Sequence, residues 1–325
     1  MTGPAAHKVN APPPAKRILI IKLGALGDFL QAIGPMQAIR KAYPQAEITL
    51  LTTAPFRKLA EASGLFDAVL TDDRPAFWNL PGVLALRATL RATRADMVFD
   101  LQTSDRSSSY LKLFWPGTPL WSGIAAGCSH PHANPDRDAM HTVDRQREQL
   151  AAAGIHDVSL PDLSFLSDDG IGTLQLPARF VLLAPGGAPH RPAKRWPAEH
   201  FAALAGQLLA AGLTPVILGT EAEAEAERAI LERCPEAVSL IGRTTLLQIA
   251  PLARRAAGAV GNDTGPMHLI TISGCPSVVL YSHASDPALC AQKGPAVTIL
   301  RRPDLKNLSP EEVFAALFSE IGTPR

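Results

Sequence analysis

Two apolar runs constrain this chain more than any other feature. Arg17–Leu23 (RILIIKL) and Phe180–Ala184 (FVLLA) each end at a glycine-bearing turn and are followed by a helical pattern. A continuous apolar run of this length, closed by glycine and leading into a helix, reads as a strand buried on both faces. After the first run, strands are expected at Glu47–Thr52, Ala68–Leu70 and Met97–Leu101, with helices over 28–42, Pro55–Ser63 and Pro81–Thr93. After the second, strands are expected at Pro215–Leu218, Ala259–Gly261 and Ser277–Tyr281. Helices there fit Ala198–Ala211, Ala222–Arg233, Leu246–Arg255, Pro266–Ser273 and Pro310–Ile321. Strand and helix in alternation imply a parallel sheet with right-handed crossovers. The alternation occurs twice, so the fold class is α/β with two Rossmann-like αβα domains, which 325 residues suffice to build.

The Pro/Gly-punctuated stretch Asp157–Pro177 is the expected linker. The domains are then 17–165 and 166–325, with the last helix free to pack back on the first. Residues 1–16 are Pro-rich and lack an apolar core of signal-peptide length, so a disordered tail is expected. The apolar runs are strand-sized and predict no transmembrane helix. A net charge of +1 gives no basic excess of the kind nucleic-acid binders carry. Cys128, Cys234, Cys275 and Cys290 have no metal-ligand or CxxC spacing and read as idle thiols in a reducing compartment. His130, His132, Asp136, Asp138 and His141 lie in a Pro/Asn/Asp-rich stretch that reads as a polar surface loop; no metal site is expected.

Four positions follow strand ends, where open α/β sheets bind ligands. Gly24 and Gly27 frame the first turn, and Asp28 is either a reactive carboxylate or the N-cap of the following helix. Gly186 and Gly187 precede Lys194 and Arg195, which either meet an anion or form a solvated basic loop. Glu221 follows Gly219-Thr220 and suits a ribose hydroxyl, or the acidic first turn that it shares with Glu223, Glu225 and Glu227. In Gly261–His268 (GNDTGPMH) a strand gives way to a helix with Pro266 early in it. That helix start favours an anion, or Asp263 or Thr264 simply caps it and His268 simply packs.

With these sites in chain order, the sequence resembles the heptosyltransferases of lipopolysaccharide core assembly, glycosyltransferase family 9. The carriers are ILIIKLGALGDFLQAIGPMQAIRKAYP, LLAPGGAPHRPAKRWPAEHFAALA, VGNDTGPMHLI and MHTVDRQREQLAAAGI, and the likeness runs from about Arg17 to Leu300. The resemblance implies a GT-B fold, two αβα domains facing across a cleft. It places the acceptor on the N-terminal half, with Gly24, Gly27 and the catalytic base Asp28. It places the donor, ADP-heptose in typical members, on the C-terminal half. There Gly186 and Gly187 form the phosphate turn and Lys194 binds phosphate. Glu221 or Glu223 holds ribose, and Thr244 meets the base. Asp263, Thr264, Gly265 and His268 form the D-T/S-G-x-x-H motif.

The reaction so implied inverts the anomeric centre and needs neither metal nor cofactor. The acceptor is a lipid-A/inner-core oligosaccharide, and the setting is the cytoplasm or the cytoplasmic face of the inner membrane. Arg87, Arg91, Arg94, Arg106 and Lys112, with Leu111–Trp115, are candidates for membrane contact, against the plainer reading of scattered surface charge. The chain departs from the family at Ala188–Pro192, where members often carry Thr or Ser and Arg191 is a candidate substitute donor. The stretch Trp121–Asp138 matches no specific acceptor loop. Rival readings are a family 9-like transferase of another sugar, a GT-B-shaped nucleotide-sugar epimerase and a non-catalytic nucleotide binder.

Overall fold

The computed structural model describes residues 11–187 and 191–322, in two compact units divided between Pro161 and Asp162.

The first unit holds strands β1 (Arg17–Ile21), β2 (Glu47–Thr52), β3 (Ala68–Thr71), β4 (Met97–Asp100), β5 (Leu120–Gly123) and β6 (His130–Pro131). Its helices are α1 (Leu26–Gln31), α2 (Ile33–Ala42), α3 (Ala54–Ala62), α4 (Leu80–Ala92), α5 (Asp105–Ser109) and α6 (Thr142–Ala152). The sheet is parallel, in the order β3-β2-β1-β4-β5-β6. β1 and β4 are central and almost wholly buried, as their unbroken apolar sequences require. Leu19, Ile21, Val98 and Trp121 pack with Leu86 and Leu90 of α4 in one core.

The second unit holds β7 (Phe180–Ala184), β8 (Thr214–Ile217), β9 (Val238–Ser239), β10 (Gly258–Asn262), β11 (Ser277–Tyr281) and β12 (Val297–Arg301). Its helices are α7 (Ala198–Ala210), α8 (Ala224–Arg233), α9 (Leu246–Arg255), α10 (Gly265–Ile272), α11 (Pro287–Cys290) and α12 (Pro310–Ile321). The order β12-β11-β10-β7-β8-β9 repeats that of the first unit. In each sheet the strand order therefore reverses once, between β1 and β4 and between β7 and β10. At such a switch point the loops at the strand ends part and leave a crevice.

Several expectations change. The helix over 28–42 is two, broken at Ala32, because Pro35 lacks an N–H and fits only the first turn of a helix. The linker is shorter than Asp157–Pro177: Leu163, Leu166 and Ile171 are buried, and Arg254 of α9 hydrogen-bonds the Leu166 carbonyl and Asp168. In the expected tail, residues 1–10 lie outside the described residues. The rest lies on the first unit: Tyr43 donates to the Pro13 carbonyl (2.9 Å), and the Lys16 amide donates to Asp96 (3.0 Å). The apolar face of α12, Val313 and Leu317, is buried in the core of its own unit. The stretch Trp121–Asp138 is not only loop; it contributes most of β5 and all of β6. His132 is buried, and the His141 ring caps α6 through the Val143 amide (3.2 Å).

Candidate active site

At the first switch point the chain leaves β1 through Lys22, a lysine with almost no exposure. Its ammonium donates to the Leu101 carbonyl (3.1 Å) just past β4. The Leu23 amide donates to the Gln102 side chain (2.9 Å), so the loops after β1 and β4 are tied together. Gly24 then turns at φ +126°, and a Cβ there would fall 2.7 Å from the Phe56 ring; only glycine fits. Phe29 stacks on the same ring (5.1 Å between centroids) and fixes the first turn of α1. Gly27 and Asp28 lie inside that turn. The N-cap is Ala25, so Asp28 is not a cap.

Asp28 lines a polar pocket of about 50 Å³ with Lys22, Thr103, Thr142, Arg145 and Gln149. Among the described residues no group donates a hydrogen bond to its carboxylate. Burial lowers the Lys22 pKa from its ordinary value, Asp28 and Asp100 pull it back up, and Arg145 lowers it further.

Asp100 ends β4 with no exposure. One oxygen accepts from the Gln102 and Thr103 amides (3.1 and 3.0 Å), which shapes the loop that holds Lys22 and Leu23. Burial pushes its carboxyl up to about 6, against the pull of Thr103, Ser107, Gln102 and Lys22. The unfolded carboxyl titrates lower, so the folded state holds the proton more tightly. Stability should fall as pH rises from about 4 to 6, and the cost stays above that window. Relative to Asp100→Asn, the native chain is expected to lose roughly 2 kcal/mol between pH 4 and pH 7. Urea unfolding of both at the two pH values measures this; a pH-independent difference would refute it.

At the second switch point Asn262 is the tie. Its amide donates to the carbonyls of Pro185 and Gly186 (2.8 and 3.0 Å), and its oxygen accepts from the Trp196 amide (3.0 Å). The Gly187 carbonyl accepts from Arg195 (2.6 Å), which folds the basic segment back on the glycine turn. Lys194 and Asp263, read separately from the sequence, meet at 2.6 Å, and both side chains are largely buried. Asp263 also accepts from Ser285 (2.7 Å) and Gln292 (3.0 Å), and the Tyr281 hydroxyl lies 3.0 Å away. Burial alone would raise the Asp263 carboxyl; the Lys194 and Ser285 hydrogen bonds overcome it and hold the pKa below the usual carboxylate value.

Asp263 is thus turned away from helix capping. Thr264, the N-cap of α10, makes no side-chain cap bond, and its buried hydroxyl has no protein partner among the described residues. Gly265 opens α10, and His268 is buried on it. The helix start therefore keeps its N–H groups and one hydroxyl for an anion.

Of the two glutamates, Glu223 occupies the turn after β8. It accepts from the Thr220 amide and hydroxyl (2.7 and 2.9 Å) and lies against Gly186 and Gly219, where a Cβ would meet its carboxylate at 3.3 and 3.0 Å. Glu221 is exposed. Thr244 is half-buried behind the Gly242 turn, whose amide bonds the Gly219 carbonyl (3.0 Å). Ala188, Pro189 and His190 lie outside the described residues; Arg191 is exposed.

Among the described residues no group of three or more His, Cys, Asp or Glu could hold a metal ion. All four cysteines keep their thiols, Cys234 and Cys275 are buried, and burial raises the pKa of each, that of Cys275 to about 12.

Lys22, Asp100, Ser285 and Gln292 were not anticipated, and Asn262, inside the Gly261–His268 stretch, had been given no role. Lys22 and Asp100 had a signal, since each is a charge at the carboxyl end of an otherwise apolar strand run.

A pair of αβα units, each with a polar constellation at its switch point, defines the GT-B class. The profile described as "Glycosyltransferase family 9 (heptosyltransferase)" matches residues 83–313. The chain belongs to glycosyltransferase family 9. It is similar to lipopolysaccharide heptosyltransferase 2 of Escherichia coli K12, 38% identical over 296 residues that cover 83% of each chain. It is also similar to lipopolysaccharide heptosyltransferase 1 of the same strain, 25% identical over 93% of this chain and 99% of the other. The solved structure of E. coli ADP-heptose lps heptosyltransferase II superposes with a TM-score of 0.77 at 23% identity, over 94% of this chain and 98% of that one.

Proposed function

We propose that this family 9 glycosyltransferase moves heptose from ADP-heptose onto an inner-core sugar hydroxyl of a lipid-A-linked acceptor, with inversion at the anomeric carbon, in lipopolysaccharide assembly. The observation that carries the reading is the Asp28 carboxylate, which lines a polar pocket at a switch point with its lone pairs uncommitted. A base that is to accept a proton needs that freedom. Asp28 takes the proton of the acceptor hydroxyl as its oxygen bonds to the anomeric carbon. The bond from that carbon to the ADP oxygen breaks through a state with oxocarbenium character, as in glycoside hydrolysis. The negative charge that gathers on the diphosphate is met by Lys194, the Thr264 hydroxyl and the N–H groups at the start of α10.

Gly186 and Gly187 let the backbone approach the phosphates, with Arg195 holding the turn. Glu223 rather than Glu221 meets ribose, and Thr244 lies beside the base. The scheme requires neither metal nor cofactor, because proton transfer and charge neutralisation both come from the protein's own side chains and backbone N–H groups. No helix among the described residues is long and apolar enough to cross a membrane. The proposed setting is the cytoplasm or the cytoplasmic face of the inner membrane, where a lipid-linked acceptor is met.

Calorimetric titration with ADP, UDP and GDP, without added metal, tests the donor assignment. Selective ADP binding is expected, and EDTA should leave turnover with ADP-heptose unchanged. A preference for UDP or GDP would overturn the assignment.

A further inference from the structure

Five of the seven large exposed hydrophobic side chains among the described residues lie in one part of the first unit. Trp78 is 89% and Trp115 70% exposed, with Phe77, Leu80 and Leu84 also out in solvent. Soluble surfaces seldom gather such side chains without a use for them. They are neighbours in space. Leu80 and Leu84 stand one turn apart on α4, and Ala85, Ala88 and Ala92 continue the same exposed face. Trp115 is fastened to that helix. Arg91 donates to its carbonyl (2.7 Å) and to that of Phe114 (3.0 Å), and Arg87 donates to the Trp115 and Leu113 carbonyls (2.8 and 3.2 Å). On the other flank the Arg106 guanidinium sits 4.9 Å over the Phe77 ring and donates to the Pro75 carbonyl.

The charge that these segments bring to the ridge is of one sign. Segments 77–94 and 106–120 carry Arg87, Arg91, Arg94, Arg106 and Lys112 and no acidic residue. Within Leu111–Trp115 the two roles separate: Phe114 is buried, while Lys112 and Trp115 face outward.

We infer that this ridge, Phe77, Trp78, Leu80, Leu84 and Trp115 with its collar of arginines and lysine, docks the first unit onto an anionic lipid bilayer. The occupant follows from chemistry. Tryptophan prefers the boundary between headgroup and hydrocarbon, where an apolar ring and a polar N–H are both satisfied. A helix with one apolar face lies in that boundary with its cations toward lipid phosphates. Trp78 and Trp115, the most exposed of these side chains, are free to enter between lipid headgroups. The inference rests on the surface of the first unit alone and holds whichever sugar is transferred.

The chain carries its own probe. Of four tryptophans, Trp121 and Trp196 are buried, so an emission change on adding vesicles reports Trp78 and Trp115. Full-length protein with vesicles of phosphatidylglycerol and phosphatidylcholine, free of any acceptor, should shift to the blue and co-sediment; pure phosphatidylcholine should act far more weakly. Trp78→Ser with Trp115→Ser should weaken co-sedimentation at least tenfold, roughly the effect of removing two interfacial anchors. Arg94→Ser with Lys112→Ser should cost about fivefold per charge at low salt. ADP binding by the same variants, unchanged, shows that they fold. Undiminished binding by the tryptophan variant, or no binding by the native chain, would overturn the inference. So would a native dimer that the tryptophan variant converts to monomer, since the ridge would then belong to a second copy.

Discussion

Asp28→Ala should lose sugar transfer by about 10²–10⁴-fold in kcat while ADP binds as before. The expectation is large because nothing else in the pocket can do the same work. Lys22 and Arg145, beside it, are cationic or buried donors, and Gln149 is spent on the Asp100 and Ser122 carbonyls (3.0 and 3.3 Å). Asp28 is partly exposed, so its loss opens no core cavity and stability should change little. Asp28→Asn is the sharper test: it keeps size and polarity and removes only the proton-accepting charge. Turnover with ADP-heptose and an isolated lipid acceptor, beside calorimetry with ADP, reads both halves. Turnover within a few-fold of native in both variants would remove Asp28 as the base.

Lys194→Ala should fail in two ways at once. The ammonium is the main partner of a carboxylate that is buried and cannot be rehydrated cheaply, and breaking such a pair costs about 3–5 kcal/mol. Ser285 and Gln292 still donate to Asp263, which puts the expected loss near the lower figure, roughly a 6–12 °C fall in Tm for a unit of this size. ADP affinity should fall by roughly 10–100-fold as well, the usual worth of a hydrogen bond to a charged group. The stability effect has a pH signature. Asp263 titrates low when folded, so its contribution is complete above the unfolded carboxylate pKa and is lost as pH falls through the folded one. The double variant Lys194→Met, Asp263→Leu separates the two effects: it should regain much of the stability and none of the ADP affinity. Lys194→Ala with native Tm and native ADP affinity would contradict both.

The central strands were legible because each is an apolar run of the length a doubly covered strand needs; β1, β2, β4, β7, β8, β10 and β11 follow from that alone. The edges were not. β5 (LWSG), β6 (HP) and β9 (VS) are too short for a period to register, and their place comes from pairing with a neighbour already fixed. β12 (VTILR) carried a β-branched signal that was passed over. α6 hid for the opposite reason. Its inward face includes Thr142, Gln146 and Gln149, so hydrophobic periodicity is silent there.

Positions of site residues were readable from strand ends and glycine turns, but their bonds were not. That Lys194 meets Asp263 depends on β7 and β10 being neighbours, a tertiary fact. That Glu223 rather than Glu221 fills the turn depends on the two glycines it leans on, Gly186 and Gly219, coming side by side.

The thiols, all shifted away from the reactive thiolate, have a practical consequence for chemistry done on the whole protein. A maleimide attacks the thiolate, and here each native sulfur is either buried or holds its proton more firmly than a cysteine in water. A cysteine introduced on the exposed ridge, as in Trp78→Cys, would stand out as the reactive sulfur in the chain. A polarity-sensitive dye could then be placed on that face alone, with the native cysteines left where they are.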